Sequence, residues 1–92
     1  KLAGAEVRCE EPTNTGRIDA VLETASKIFI MEFKMGSEHE ALDQIREMKY
    51  YEKYLAGGKE IVLMGAGFDV QQRNIGNYLL EAIVFDSDRR PG

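Results

Sequence analysis

The chain has 92 residues, of which 43% are hydrophobic and 30% charged, and its formal net charge is -4. A chain of this length forms one small domain that buries only about 60% of its unfolded surface. The composition is that of a globular chain rather than a disordered one, and no apolar run approaches the roughly 20 residues of a membrane span. The acidic balance argues against a strong nucleic-acid footprint.

One cysteine allows no internal disulfide, and we expect a reducing, cytoplasmic location. The chain starts on Lys1 without a methionine and ends on Arg-Arg-Pro-Gly. We therefore expect residues 1–92 to be a single, truncated domain of a longer protein.

Hydrophobic periodicity predicts the order strand, strand, strand, helix, strand, strand. Ser37 with Glu40 forms a capping box that starts the helix, and Gly57-Gly58 ends it. Residues 78–85 fit a strand or a helix, and their β-branched and aromatic end favours the strand. The predicted bounds are strands at 6–11, 16–23, 28–35, 59–66 and 78–85, a helix at 38–55, a turn at 12–16 and a polar loop at 68–77.

The third strand, the helix and the fourth strand form a crossover unit. Such units are right-handed, so the fourth strand should run parallel to the third in a mixed sheet with the helix on one face. Alternation along the third strand separates two sets of side chains. We expect Phe29, Met31 and Phe33 to pack beneath other elements, and Glu32 and Lys34 to open on the opposite face with Asp19.

The second and third strands should pair as an antiparallel hairpin. The short connection places Glu23 opposite Ile28, which sets Asp19 opposite Glu32 and Arg17 opposite Lys34. Two facing carboxylates repel, so a cation or a proton is expected between them. Carboxylate oxygens suit Mg²⁺ or Mn²⁺, and Lys34 could hold a water or neutralise charge at a phosphate. A third carboxylate could come from Glu10, and the alternative is a cross-strand ion-pair ladder on a solvated face.

Several motifs follow one another along the chain. They are Glu10, Gly16-Arg17-Ile18-Asp19, Glu32-Phe33-Lys34, Ala41-Leu42-x-Gln44-Ile45 before Tyr50 or Tyr51, and the segments 62–68 and 73–76. Together they resemble the PD-(D/E)XK nuclease superfamily, over roughly residues 6 to 77. More narrowly, the chain is similar to the nuclease-like domain at the C-terminus of bacterial proteins that carry an AAA-ATPase-like domain. Ile18 stands where the superfamily has Pro before its Asp.

The resemblance implies an α/β, restriction-endonuclease-like core. This core has three antiparallel strands, a crossover helix and a parallel strand, and its first helix is expected to be absent here. Asp19, Glu32 and Glu10 would bind the metal, Lys34 would be the catalytic lysine, and Gln44 would face the active site.

The implied function is hydrolysis of phosphodiester bonds in nucleic acid, with DNA as the expected substrate and Mg²⁺ or Mn²⁺ as cofactor. The alternative is a catalytically inactive nuclease-fold module for recognition or dimerisation in an ATPase-linked protein. Without its first helix, the sheet face that bears Phe29, Met31 and Phe33 would be exposed, so we also expect a homodimer.

Overall fold

The computed structural model describes residues 4–83, which form one mixed five-stranded sheet with two helical segments. The elements are β1 (Ala5–Thr13), β2 (Gly16–Thr24), β3 (Lys27–Met35), α1 (Glu38–Met48), a 3₁₀ helix (Tyr50–Gly57), β4 (Glu60–Asp69) and β5 (Asn74–Ile83). The sheet order is β1-β2-β3-β4-β5, and all neighbouring strands are antiparallel except the parallel pair β3 and β4. The predicted α/β class with a mixed sheet is confirmed.

Helix α1 begins where the capping box predicts it and ends earlier than expected. The Ser37 side chain accepts a hydrogen bond of 3.0 Å from the Glu40 backbone N–H. Lys49 adopts a left-handed conformation at φ 52°, and its N–H donates to the Arg46 carbonyl. The α-helix therefore stops at Met48, and the prediction of one helix over residues 38–55 is wrong in its second half.

Both predicted loops are shorter in the structure. The first turn contains only residues 14 and 15, because the Thr13 hydroxyl bonds to both the Thr15 N–H and the Gly16 carbonyl. The second turn covers residues 70–73, and the Asp69 carboxylate accepts two backbone N–H groups inside it. Strand β5 therefore starts at Asn74, inside the predicted polar loop. Residues 84 and 85 of the predicted last strand lie outside the described residues.

The core lies between the sheet and the two helical segments. Gly65 lets the backbones of α1 and β4 come close together, because a Cβ at this position would lie 2.4 Å from the Leu42 backbone nitrogen. Helix α1 thus rests directly on β4. No helix of the described residues is long and apolar enough to span a bilayer. The buried cluster consists of Ile18, Val21, Ile28, Ile30, Leu42, Ile45, Tyr50, Ile61 and Leu63.

The assignment of the two faces of β3 differs from the prediction. Ile28, Ile30 and Glu32 alternate onto the face that α1 covers, and Glu32 is only 3% exposed. The expectation that Glu32 opens to solvent away from the helix is therefore wrong.

The other face of the sheet carries apolar side chains that no described element covers. Phe33 is 38% exposed there, and Met31 and Phe29 are partly buried. Cross-strand pairing places Leu80 and Tyr78 on the same face, where both are more than half exposed. The expectation that Phe29, Met31 and Phe33 pack beneath other elements is wrong for the described residues. We call this surface the open face.

Candidate active site

The candidate site forms where β2 and β3 separate. The expected pairing of Glu23 with Ile28 is confirmed, but the ladder ends at Ala20 and Met31. Beyond that point, Asp19 Oδ2 accepts a hydrogen bond of 2.9 Å from the Phe33 N–H. Glu32 Oε1 lies 3.4 Å from the Asp19 backbone nitrogen, which donates to it. Each carboxylate bonds to the backbone of the other strand, so the regular ladder in which Asp19 and Glu32 would face each other is not formed at this point.

Helix α1 holds the second oxygen of Glu32. Gln44 Nε2 donates to Glu32 Oε2 at 2.5 Å, and it also lies 3.3 Å from the Tyr50 hydroxyl. Tyr50 is 2% exposed, so the amide is anchored on a buried side chain. Gln44 therefore links the core of the protein to the buried carboxylate.

The surroundings of Glu32 favour its neutral form. Burial and, to a smaller extent, the negative charge of Asp19 raise the pKa of Glu32 to about 7. The positive charge of Lys34 and the Asp19 N–H act in the opposite direction. Near neutral pH, this carboxyl group is thus poised between binding a proton and binding a cation.

Lys34 lies on the same side of the sheet, in an open cavity of about 520 Å³ that it shares with Gln44 and Met48. Among the described residues, no salt bridge involves Lys34, Glu32 or Asp19. The ion-pair ladder considered from the sequence is therefore not formed in this part of the chain. Three carboxylates complete the cavity wall, those of Glu40, Asp43 and Glu47.

Glu10 is not brought to the pair. Its carboxylate is largely exposed and binds Arg17 at 2.8 Å, and its backbone adopts φ 52°. Within residues 4–83, no three Asp, Glu, His or Cys side chains are arranged to hold a metal. The predicted register set Arg17 opposite Lys34, but the β2–β3 ladder ends before that point and Arg17 pairs with Glu10 instead.

Sequence reasoning did not assign two contributors to the site. Tyr50 had no predicted role in the site, although its hydroxyl lies 3.3 Å from Gln44 Nε2. A Cβ at Gly16 would lie 3.2 Å from the Tyr50 hydroxyl, so glycine leaves room for this tyrosine, but only the structure shows that contact. The Phe33 N–H that holds Asp19 has no sequence signal, because every residue except proline carries that group.

The chain belongs to the PD-(D/E)XK nuclease superfamily, whose family model matches residues 2–78.

The chain is also similar to a protein of Azotobacter chroococcum mcd 1, described as an uncharacterized protein in the vnfD 5′ region. The two are 31% identical over 83 residues, which cover 87% of this chain and 16% of the relative. The chain thus spans about a sixth of the length of that relative. No solved structure matches the chain significantly.

Proposed function

We propose that this chain is a metal-dependent nuclease domain that hydrolyses phosphodiester bonds in nucleic acid. The observation that carries the proposal is Glu32, a carboxyl group that is 3% exposed yet lies beside Asp19 and Lys34. Burying an ionisable group next to a like charge is unfavourable. Functional sites are where such groups cluster.

The donor set fits a hard divalent cation. Asp19 and Glu32 would hold Mg²⁺ or Mn²⁺, which prefer carboxylate oxygens and need few protein ligands. A cation bound there would supply positive charge to the reacting phosphate and lower the pKa of a coordinated water. Cation binding requires deprotonated Glu32, so the affinity should rise with pH through about 7.

The remaining residues would orient the reactants. Gln44 fixes Glu32 Oε2, and the Phe33 N–H fixes Asp19 Oδ2, so neither carboxylate has to reorganise. Lys34 would place an ammonium beside the phosphate, either to hold the attacking water or to neutralise developing charge.

Cleavage assays test this proposal. Labelled DNA and RNA strands would be incubated with the purified protein in Mn²⁺ or in EDTA. We expect cleavage only with Mn²⁺, and none above the EDTA background for Glu32→Gln. Glu60→Gln is the matched control, because Glu60 is exposed at the opposite end of the parallel strands. Equal cleavage by wild type and Glu32→Gln would refute the assignment.

A second candidate is a catalytically inactive nuclease-fold module for recognition or dimerisation. The acidic wall formed by Glu40, Asp43 and Glu47 beside Lys34 favours it, together with the net charge of -4, since both repel phosphates. A divalent cation that binds the native state raises the melting temperature. A melting temperature that neither Mg²⁺ nor Mn²⁺ changes would favour the inactive module over the enzyme.

The partners inferred from the sequence remain proposals. A homodimer would cover the open face, and an ATPase-like domain in the same full-length chain is implied by the narrower resemblance. The relative from Azotobacter extends far beyond the matched 16% of its length, which leaves room for further domains. A third metal ligand at Glu10 would require that carboxylate to leave Arg17.

A further inference from the structure

A small cavity of about 160 Å³ lies beside the candidate site, between the turn of the β1–β2 hairpin and the start of the 3₁₀ helix. We call it the lysine cavity. Its wall includes Asn14, Thr15, Lys49, Tyr50, Glu52 and Lys53. One amide and two ammonium groups therefore line it, and these are groups with which proteins bind the phosphates of nucleic acids.

Charge distinguishes the lysine cavity from its neighbours. Its wall carries two lysines and one carboxylate, that of Glu52. In the open cavity of the candidate site, three carboxylates surround the single Lys34. A third cavity, of about 420 Å³ at the carboxyl ends of β3 and β4, is lined by two carboxylates and no basic residue. Those two walls repel a phosphate, whereas the lysine cavity attracts one.

The two ammonium groups are available to a ligand. Lys49 and Lys53 are both exposed, and among the described residues neither forms a salt bridge. The Lys53 ammonium donates to the Pro12 carbonyl at 2.9 Å, which holds it beside the hairpin. Arg17 lies at the same end of β2 but is already bound to Glu10. An ammonium group has three N–H donors, so both lysines keep donors for a phosphate.

The lysine cavity adjoins the candidate site at two contacts. Thr15 Oγ1 donates to the Met48 carbonyl at 2.6 Å, and Met48 also lines the open cavity of the candidate site. Tyr50 lies on the wall of the lysine cavity, and its hydroxyl is 3.3 Å from Gln44 Nε2. A nucleic-acid strand bound at the candidate site can therefore continue directly into the lysine cavity.

We propose that the lysine cavity binds a backbone phosphate of the substrate strand, close to the phosphate bound at Asp19 and Glu32. The proposal rests on the proposed nuclease function and adds the direction in which the strand leaves the site. The strand passes over Met48 and Thr15 toward the two lysines, away from the acidic wall of the candidate site. Because phosphate contacts carry no sequence information, this contact should depend on charge and salt and not on the bases.

Fluorescence anisotropy with a labelled single-stranded DNA oligonucleotide tests the proposal. The protein carries Lys34→Ala and the buffer contains Mn²⁺, so that Asp19, Glu32 and the metal remain while the strand is not cut. We expect Lys49→Gln to weaken binding about tenfold, the scale of one charge-assisted contact. It should also reduce the slope of log Kd against log salt by about 0.7, the value for one phosphate of a single strand. Glu52→Gln removes the carboxylate from the same wall and should tighten binding.

Lys27→Gln is the matched control, because Lys27 is exposed at the opposite end of β3, and it should leave the affinity unchanged. A second series of oligonucleotides replaces one phosphate at a time by a neutral methylphosphonate. At one position close to the scissile phosphate, the replacement should weaken binding to the parent protein and have little further effect on Lys49→Gln, since the contact is already lost.

Equal affinities of Lys49→Gln and Lys27→Gln, coupling of Lys49 to no phosphate position, or no binding of the strand would overturn the proposal. Mn²⁺-dependent cleavage with the same KM in the wild type and in Lys49→Gln would overturn the lysine cavity alone and leave the nuclease function standing. Coupling of Lys49 to one phosphate without any cleavage by the wild type would support the phosphate contact and refute the nuclease function.

Discussion

Replacing Glu32 by glutamine should stabilise the metal-free protein while removing its response to metal. The pKa of this carboxyl is raised from 4.5 to about 7, so the folded protein holds the proton more tightly than the unfolded chain does. Ionisation between about pH 4.5 and 7 therefore opposes folding. The stability of the wild type should be highest below that window and fall as the pH rises through it.

The size of the effect follows from the same values. A pKa raised by about 2.5 at 1.4 kcal/mol per pKa unit makes ionised Glu32 cost about 3 kcal/mol at pH 8. Glutamine cannot ionise, and its amide can still bond to Gln44 or to the Asp19 N–H. Since 1 kcal/mol corresponds to about 4–8 °C in a domain of this size, we expect Glu32→Gln to melt about 12–24 °C higher at pH 8. At pH 5 the difference should shrink to about a quarter of that value.

Thermal melts of wild type, Glu32→Gln and the control Glu60→Gln would be recorded at pH 5 and 8, in EDTA and in Mn²⁺. Mn²⁺ should raise the melting temperature of the wild type and of the control at pH 8, and leave Glu32→Gln unchanged. A variant that melts lower than wild type in EDTA at pH 8 would show that Glu32 is a stabilising ion-pair partner. Together with a wild type indifferent to Mn²⁺, that result would refute the metal site.

Three further predictions concern packing, chemistry and association. Gly65→Ala should lower the melting temperature by more than about 10 °C, because its Cβ would meet the Leu42 backbone. Gly57→Ala is the control: its Cβ would point into open space, so the melting temperature should not fall in this way. Lys34→Ala should lose cleavage but keep the Mn²⁺-induced rise in melting temperature, and loss of both would contradict its assignment to the chemical step. The wild type should sediment as a dimer through the open face, and Leu80→Lys as a monomer; a monomeric wild type at high concentration would contradict this.

The most accurate predictions from the sequence concern features that local interactions determine, such as turn length and helix capping. The turn length between β2 and β3 fixed the pairing of Glu23 with Ile28, and the Ser37 capping box fixed the start of α1. The motif around Asp19 and Glu32 also led to the family. The roles assigned to these site residues stay predictions, although the structure does bring Asp19, Glu32 and Gln44 into contact.

The predictions that were wrong concern features that depend on tertiary structure. Lys49 ends α1 in a left-handed conformation, which glycine or asparagine usually adopts, so the sequence carried no stop signal there. Alternation along β3 separated its two faces correctly but did not show which one the helix covers. The expected exposure of Glu32 is the usual state of a carboxylate, since buried carboxylates are rare unless they are paired. The hydrogen bonds that compensate its burial come from α1 and β2, and local patterns contain no information about them.

The candidate site forms where the hydrogen-bonded ladder between β2 and β3 ends. Past Ala20 and Met31, the backbone N–H groups of Asp19 and Phe33 bond to carboxylates instead of to strand carbonyls. A carboxylate that accepts a backbone N–H is held in place by the fold itself rather than by a flexible neighbour. The same separation lets Gln44 reach Glu32 from above. Restoring a regular ladder would close this space, so the position of the candidate site and the end of β2–β3 pairing are one structural feature.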